Sequence, residues 1–343
     1  MLLLVGPSPD RPGGVSTWFR LVTAALRARG DERWSHFVTD KAHGGQGSLP
    51  RRLADGTVVA RRLRQVLAAT RPRIVHIACG SGWSFREAGV HAALARSTGA
   101  RVVIHLHAAS LERWWRHSAV ERPVVRGVLR RADGVAVLAG GVRDWLVARG
   151  VPHERVHVVP NGVPVGPWRE RRARATPRIL IVGAVSERKG VRDVIEALAR
   201  IERPLDVRWI GPGHEPWVEA GRAVGLRFAG PRHPEEVQSA LDDADALLLA
   251  SHREGLPFAL LEAMASGLPV IATEVGAIGE LLRDGAGILI PPRAPAALAD
   301  VLQGLTPEGL ATVARSGWER VAARHRLEHT IDALDTLWSD LGR

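Results

Sequence analysis

The sequence predicts an α/β protein made of two successive doubly wound domains. Three observations carry this reading. An apolar strand, a glycine-rich loop and an amphipathic helix open the chain (LLLVG, PSPDRPGG, then residues 15–29), and the same theme restarts at Arg178 with RILIV, GAVSERKG and a helix over 191–201. Between the two sets lies PVGPWRERRARATP, residues 164–177, which is rich in Pro and Arg, lacks an apolar period and reads as an interdomain linker. At 343 residues the chain also exceeds what one hydrophobic core usually covers.

In chain order, residues 1–5 read as a strand, 6–14 as a turn-rich loop and 15–29 as a helix stopped by Gly30. A strand follows at 34–39, then a glycine-rich loop at 41–50, expected to be mobile. The helix at 53–70 carries Arg61, Arg62 and Arg64. Strand 74–78, helix 85–97, strand 102–106, strand 134–139, helix 142–149 and strand 156–160 complete the first set. The second set has expected strands at 178–182, 205–210, 226–229, 246–250, 270–273 and 288–290, with helices at 235–241, 258–265, 296–305 and 310–324. Ile331, Leu334, Leu337 and Leu341 form a helical stripe on a last segment, 327–341.

A 45% hydrophobic and 24% charged composition is that of an ordinary soluble globular protein. A single cysteine, Cys79, excludes a disulfide framework and a multi-cysteine metal site and fits a reducing compartment. The first apolar run is too short, and lacks the basic flank, for a signal peptide, and no run approaches the ~18 apolar residues of a membrane span. A cytoplasmic location is therefore expected. Charge is uneven: residues 1–165 carry 25 Lys+Arg against 11 Asp+Glu, and the remainder 22 against 25. A basic half beside a near-neutral one points to an anionic partner on one side. No nucleic-acid motif is present, so a membrane surface or a phosphorylated acceptor fits better. Trp114 and Trp115, flanked by Arg113 and Arg116, suit a membrane interface, with packing into a core as the alternative.

The most informative stretch is SHREGLPFALLEAMASGLPVIAT, residues 251–273. Gly255, Leu256 and Pro257 separate Glu254 from a run of helix formers, so Glu254 is expected in a loop at a helix N-terminus and Glu262 inside that helix. Carboxylates accept paired hydroxyl hydrogen bonds, which suits a polyol ligand. Arg188-Lys189-Gly190 follows a strand and precedes a helix, and two cations with a glycine at that position make a diphosphate clamp. Lys189 is one of only two lysines, the other being Lys41, in a chain with 47 basic residues. His105 and His107 alternate at the C-terminal end of a strand, where open α/β sheets bind ligands, and His107 is nearer that end. Gly13 and Gly14 would let backbone N–H groups approach a phosphate or sugar. Asp243-Ala244-Asp245 matches a D-x-D metal motif but leads straight into an apolar strand, where Asp commonly ends a loop.

These residues together resemble the GT-B glycosyltransferases of family 4, retaining enzymes that use nucleotide-sugars. The resemblance runs over nearly the whole chain: Pro12-Gly13-Gly14, VVPNGV at 158–163, the G…RKG loop at 183–190, and E-x7-E followed by MASGLPVIAT stand in the family's order. The chain departs from the pattern at Pro164, where Asp is usual, at Ala250, where Pro is usual, and at Ala277, where a second Gly is frequent.

The resemblance implies two Rossmann-like domains facing across a cleft. Residues 1–163 would hold the acceptor, 164–325 the nucleotide-sugar, and 326–343 would form a helix crossing back to the first domain. Glu262 would bind the ribose, and Glu254 a hydroxyl of the donor sugar. The 255–258 segment (Gly255, Leu256, Pro257, Phe258) would add backbone contacts. Arg188 and Lys189 would neutralise the departing diphosphate, Gly14, beside Gly13 in the donor-binding set, would pass close to the diphosphate or the acceptor, and His107 would touch the donor sugar near the reaction centre. Neither a cofactor nor a metal is expected, the nucleotide-sugar being a substrate. Expected partners are a UDP- or GDP-sugar and an acceptor sugar, lipid-linked sugar or small molecule, with an anionic membrane surface as a further candidate and no nucleic acid. A nucleotide-sugar epimerase of the same architecture and a non-catalytic partner subunit stand as rival readings.

Overall fold

The computed structural model describes all residues except 42–47, 108–114, 116–120, 172–173, 175, 214 and 343, and divides into two units: Met1–Asn161 with Leu327–Arg343, and Gly162–Arg326. The first unit runs β1 (Leu2–Gly6), α1 (Gly14–Ala28), β2 (Trp34–Val38), α2 (Leu49–Thr70), β3 (Ile74–Cys79), α3 (Trp83–Ser97), β4 (Arg101–Leu106), α4 (Glu121–Arg131), β5 (Gly134–Val137), α5 (Gly140–Val147) and β6 (Val156–Val158). Its strands are parallel in the order β2-β1-β3-β4-β5-β6. Phe37, Val5, Ile77, Ile104, Val135 and Val156 lie side by side across all six strands, every one buried. Parallel strands covered on both faces need such apolar residues, which is why short unbroken apolar runs marked them in the sequence.

The second unit runs β7 (Arg178–Val182), α6 (Val191–Leu198), β8 (Asp206–Ile210), α7 (Glu215–Arg222), β9 (Arg227–Gly230), α8 (Pro234–Asp243), β10 (Ala246–Leu249), α9 (Phe258–Ala265), β11 (Val270–Thr273), α10 (Ile278–Leu282), β12 (Ile288–Ile290), α11 (Pro295–Gln303) and α12 (Pro307–Arg324). Its parallel sheet has the order β12-β11-β10-β7-β8-β9, so the winding reverses between β7 and β10. Crevices at such a reversal, at the carboxyl ends of the strands, are where open α/β sheets take ligands. In the first unit the reversal falls between β1 and β3.

The last helix, α13 (Leu327–Gly342), belongs to the first unit. Thr330 Oγ1 donates to the Pro160 carbonyl at 2.9 Å, and Arg29 of α1 pairs with Asp335 at 3.0 Å. The Pro- and Arg-rich stretch expected to act as a linker is tied to the second unit. Trp168 packs edge-on against Trp318 of α12 at 5.8 Å, and Arg171 donates to the Leu241 carbonyl at 3.0 Å.

Several elements differ from expectation. α2 starts at Leu49 rather than Leu53, because Pro50 sits in the first turn, where a missing N–H costs nothing. The rest of the loop expected to be mobile lies largely outside the described residues. α4, α7 and α10 were not expected. α4 is hidden by its arginines, yet it buries Val125 and Leu129, four residues apart on one face.

Candidate active site

The second unit's site is built at the β7/β10 reversal from two loops. After β7, Gly183 takes φ 138° and its carbonyl accepts the Trp209 indole N–H at 2.7 Å. A Cβ at Gly183 would stand 3.0 Å from Lys189 Cε, so glycine leaves the lysine stem its path. Gly190, at φ 76°, closes the loop; a Cβ there would come within 1.9 Å of the Ala250 carbonyl oxygen, beyond the end of β10. The His252 N–H donates to the Arg188 carbonyl at 2.9 Å and joins the two loops.

This arrangement brings Lys189 and Glu254 together. Lys189 Nζ donates to Glu254 Oε1 at 2.6 Å, and Ser251 Oγ donates to the same oxygen at 2.8 Å. Arg188 Nη1 stands 3.6 Å from that oxygen and donates to the Arg253 carbonyl at 3.3 Å. Lys189 and Glu254 are nearly enclosed, with 14% and 11% of their side chains exposed, whereas Arg188 is 45% exposed. Glu254 Oε2 has no partner among the described residues, so the carboxylate keeps one oxygen for a ligand. Behind the loop, His252 Nε2 meets the buried Asp193 carboxylate at 2.8 Å, and Thr273 Oγ1 donates to the Ser251 carbonyl. Sequence reading did not find Ser251, His252, Asp193 or Thr273 as supports. The available signal was Asp193 in the first turn of a helix that follows a glycine loop.

The 255–258 segment continues from Glu254. Pro257 is the residue capping α9 rather than its first helical residue. The Gly255 carbonyl accepts the Ala277 N–H at 3.0 Å, and Gly276 at φ 57° passes so close that a Cβ would stand 2.0 Å from the Glu254 carbonyl oxygen. Leu256 and Phe258 are buried, which fixes the start of α9. The first N–H groups of that helix have no intrahelical acceptor and give its N-terminus an anion-favouring field. Glu262 lies one turn inside α9, half-buried among Leu260, Leu261, Ala263 and Met264, all of which are buried.

In the first unit, Gly13 caps α1 at φ 135° and Gly14 is the first helical residue; nothing lies within 4 Å of a Cβ built on either. His107 follows β4, with its N–H donating to the Cys79 carbonyl at 2.9 Å. Its ring lies 4.2 Å from that of His105 and 5.5 Å from that of Trp18, and its Nε2 is buried without a partner among the described residues. Burial pushes its pKa down to about 3, so the ring is neutral at physiological pH. His105 is held well below its ordinary value by burial first and then by His107 and His76, against a weaker pull from the Val159 backbone.

Two partners of this cluster escaped the sequence reading. Trp338 Nε1 of α13 donates to His76 Nδ1 at 3.0 Å, and His76 Nε2 lies 3.1 Å from His105 Nδ1. An indole N–H can only donate, so His76 Nδ1 is bare and its proton sits on Nε2. His76 Nε2–H then donates to His105 Nδ1, so neutral His105 accepts there and carries its own proton on Nε2. One tryptophan thereby fixes two tautomers. Trp338→Phe is expected to give His76 mixed tautomers in ¹⁵N–¹H long-range spectra; an unchanged single Nε2–H form would contradict the relay.

Trp115 packs edge-on against Trp145 at 5.8 Å under Arg126, on the first unit's core, while Trp114, Arg113 and Arg116 lie outside the described residues. Asp243 and Asp245 are occupied by arginines: Arg174 bonds both, at 2.9 and 3.1 Å, and Asp245 Oδ2 accepts the Arg178 N–H at 2.8 Å. Among the described residues, no group of three or more His, Cys, Asp or Glu is placed to hold a metal ion.

Residues 13–162 match the family model of the glycosyl transferase 4-like domain, and residues 176–306 match that of glycosyl transferases group 1. The chain belongs to the group 1 glycosyl transferases. Its two six-stranded parallel sheets with flanking helices are those of the GT-B fold. This group 1 chain is similar to sucrose-phosphate synthase from Thermosynechococcus elongatus, with a TM-score of 0.78 at 19% identity over 99% of this chain and 98% of that one. It is also similar to Anabaena HepE solved with UDP and glucose, with a TM-score of 0.75 at 17% identity over 99% and 100%. Among curated relatives, glycogen synthase of Mycobacterium tuberculosis is 28% identical over 281 residues, 76% of this chain and 66% of that protein. Alpha-D-kanosaminyltransferase of Streptomyces kanamyceticus is 27% identical over 315 residues, 82% and 80%.

Proposed function

We propose that the protein is a retaining glycosyltransferase that moves a sugar from a UDP- or GDP-sugar to an acceptor hydroxyl, in the synthesis of a cell-surface polysaccharide, a glycolipid or a glycosylated metabolite. The observation that carries this reading is the enclosed Lys189–Glu254 couple at the β7/β10 reversal, with one carboxylate oxygen free and Arg188 beside it. Cleaving the bond between the anomeric carbon and the phosphate oxygen puts negative charge on the leaving diphosphate. Lys189 and Arg188 stabilise that charge, aided by the N-terminus of α9. Glu254 accepts a hydroxyl of the donor sugar, and Glu262 accepts the ribose hydroxyls. Backbone contacts come from Gly255, Leu256, Pro257 and Phe258, with Gly13 and Gly14 approaching the donor. Neutral His107 is assigned to the donor sugar near the reaction centre. The acceptor oxygen attacks the face that the phosphate leaves, and a phosphate oxygen takes its proton, so retention needs no carboxylate nucleophile and no metal.

The named curated relatives include transferases, which favours transfer over epimerisation or binding alone. Incubation with UDP- and GDP-sugars and a panel of glycosides, read by mass spectrometry with and without EDTA, tests the reading. The expected result is a glycoside one sugar heavier in both conditions; release of an epimer with no transfer would overturn it.

An anionic membrane surface remains part of the proposal. No helix among the described residues is long and apolar enough to cross a membrane. On α2, however, exposed Leu49, Leu53 and Val58 share the solvent side with Arg51, Arg61, Arg62 and Arg64. An apolar and basic helix face suits the surface of an anionic bilayer. Sedimentation with phosphatidylglycerol-containing vesicles is expected to exceed that with phosphatidylcholine alone and to fall in high salt. Equal sedimentation would remove this surface.

A further inference from the structure

We propose that the first unit carries a pocket of its own for one small, uncharged, hydroxyl-rich ring. It would seat the acceptor, a role that rests on the transfer reaction above. The pocket, of about 190 Å³, lies at the carboxyl ends of β1 and β3, where this sheet reverses, and it is also lined from α1, α2 and α3. Ligand pockets for drug-sized molecules usually span roughly 300–1,000 Å³, so this one has room for a single ring rather than an extended chain.

Its floor is apolar, with Val5, Ile77 and Val59, and suits the C–H face of a sugar or cyclitol. Its wall holds two carboxylates, each fixed through one oxygen. Glu87 Oε1 pairs with Lys41 Nζ and accepts the Trp83 indole N–H at 2.8 Å. Asp40 Oδ1 accepts the Ser8 N–H at 3.1 Å and stands 3.6 Å from Arg11 Nη1. Glu87 Oε2 and Asp40 Oδ2 have no partner among the described residues. Two fixed carboxylates, each offering a bare oxygen, are strong acceptors for neighbouring hydroxyls.

Charge selects against ionic ligands. Lys41 is matched by Glu87 and Arg11 by Asp40, while His91, pushed down to about 4 by burial, is neutral at physiological pH. A phosphate would meet two carboxylates with both cations already engaged. A neutral polyol, in contrast, breaks no ion pair.

Saturation-transfer NMR on the full chain would use methyl α-D-glucopyranoside, methyl α-D-mannopyranoside and myo-inositol, with glucose 6-phosphate as the anionic comparison. At least one neutral ring is expected to bind, with affinity falling roughly tenfold in both Asp40→Asn and Glu87→Gln. Binding of none of the neutral rings, binding unchanged in both variants, or tighter binding of the sugar phosphate would each overturn the proposal. Asp40 is part-exposed, so Asp40→Asn keeps the test alive should Glu87→Gln fail to fold. A UDP titration of the same samples separates the two readings: polyol binding lost with UDP binding kept sinks only the pocket, and the reverse sinks only the donor site.

Discussion

Lys189→Ala is expected to lower turnover by roughly a hundred- to a thousand-fold, with the donor KM changing only a few-fold. The lysine is nearly enclosed, and its ammonium is held 2.6 Å from Glu254 by a loop in which Gly190 has no room for a side chain and Gly183 leaves the lysine stem its path. A fixed charge of this kind acts most strongly on charge that develops only as the sugar–phosphate bond breaks, so the loss falls on kcat. The same substitution leaves Glu254 buried with Ser251 and a more distant Arg188, at a stability cost on the order of 3 kcal/mol. Lys189→Ala combined with Glu254→Gln is expected to recover much of that stability and none of the turnover. Urea unfolding beside steady-state kinetics checks both halves. Full activity in Lys189→Ala would remove the lysine from the chemistry.

A steep loss of stability in mild acid is the second large effect expected. Burial lowers the pKa values of His76 and His107 to about 3 and of His91 to about 4, and it holds His105 well below its ordinary value. In the unfolded chain the same imidazoles titrate near 6.5, so between there and the folded values the unfolded state binds more protons. Stability is therefore fully present above about pH 6.5 and is lost as the pH falls. The slope is up to roughly 1.4 kcal/mol per pH unit for each buried imidazole. The urea midpoint should drop sharply between pH 6.5 and 4.5, and His107→Gln should flatten the slope by about one proton. A midpoint flat across that window would contradict the burial of these rings as neutral groups.

The sequence was most legible where backbone need and side-chain pattern agree. α9 begins and ends where Gly255-Leu256-Pro257 and Gly267 predicted, because loop residues bracket a run of strong helix formers. The buried parallel strands were visible as apolar runs. α4 was not, because arginines cover its exposed faces and a short stripe of Val125, Val128 and Leu129 marks its inner one. Lys189, Arg188 and Glu254 were found as types of residue in types of loop. That Lys189 binds Glu254 itself was not, since 65 positions separate them and only the β7/β10 pairing brings them together. The same holds for His252 with Asp193 and, across 262 positions, for Trp338 with His76. Local sequence carries propensity and charge but does not say which distant partner will satisfy a buried polar atom.

The most direct test of the donor site is calorimetric titration of the intact protein with UDP and with GDP, repeated on Lys189→Ala and Glu262→Ala. One nucleotide is expected to bind the wild-type protein, to bind Glu262→Ala roughly tenfold or more weakly through the lost ribose contact, and to bind Lys189→Ala with a smaller loss. Binding of neither nucleotide, or equal binding by all three proteins, would contradict a nucleoside diphosphate site at the β7/β10 reversal.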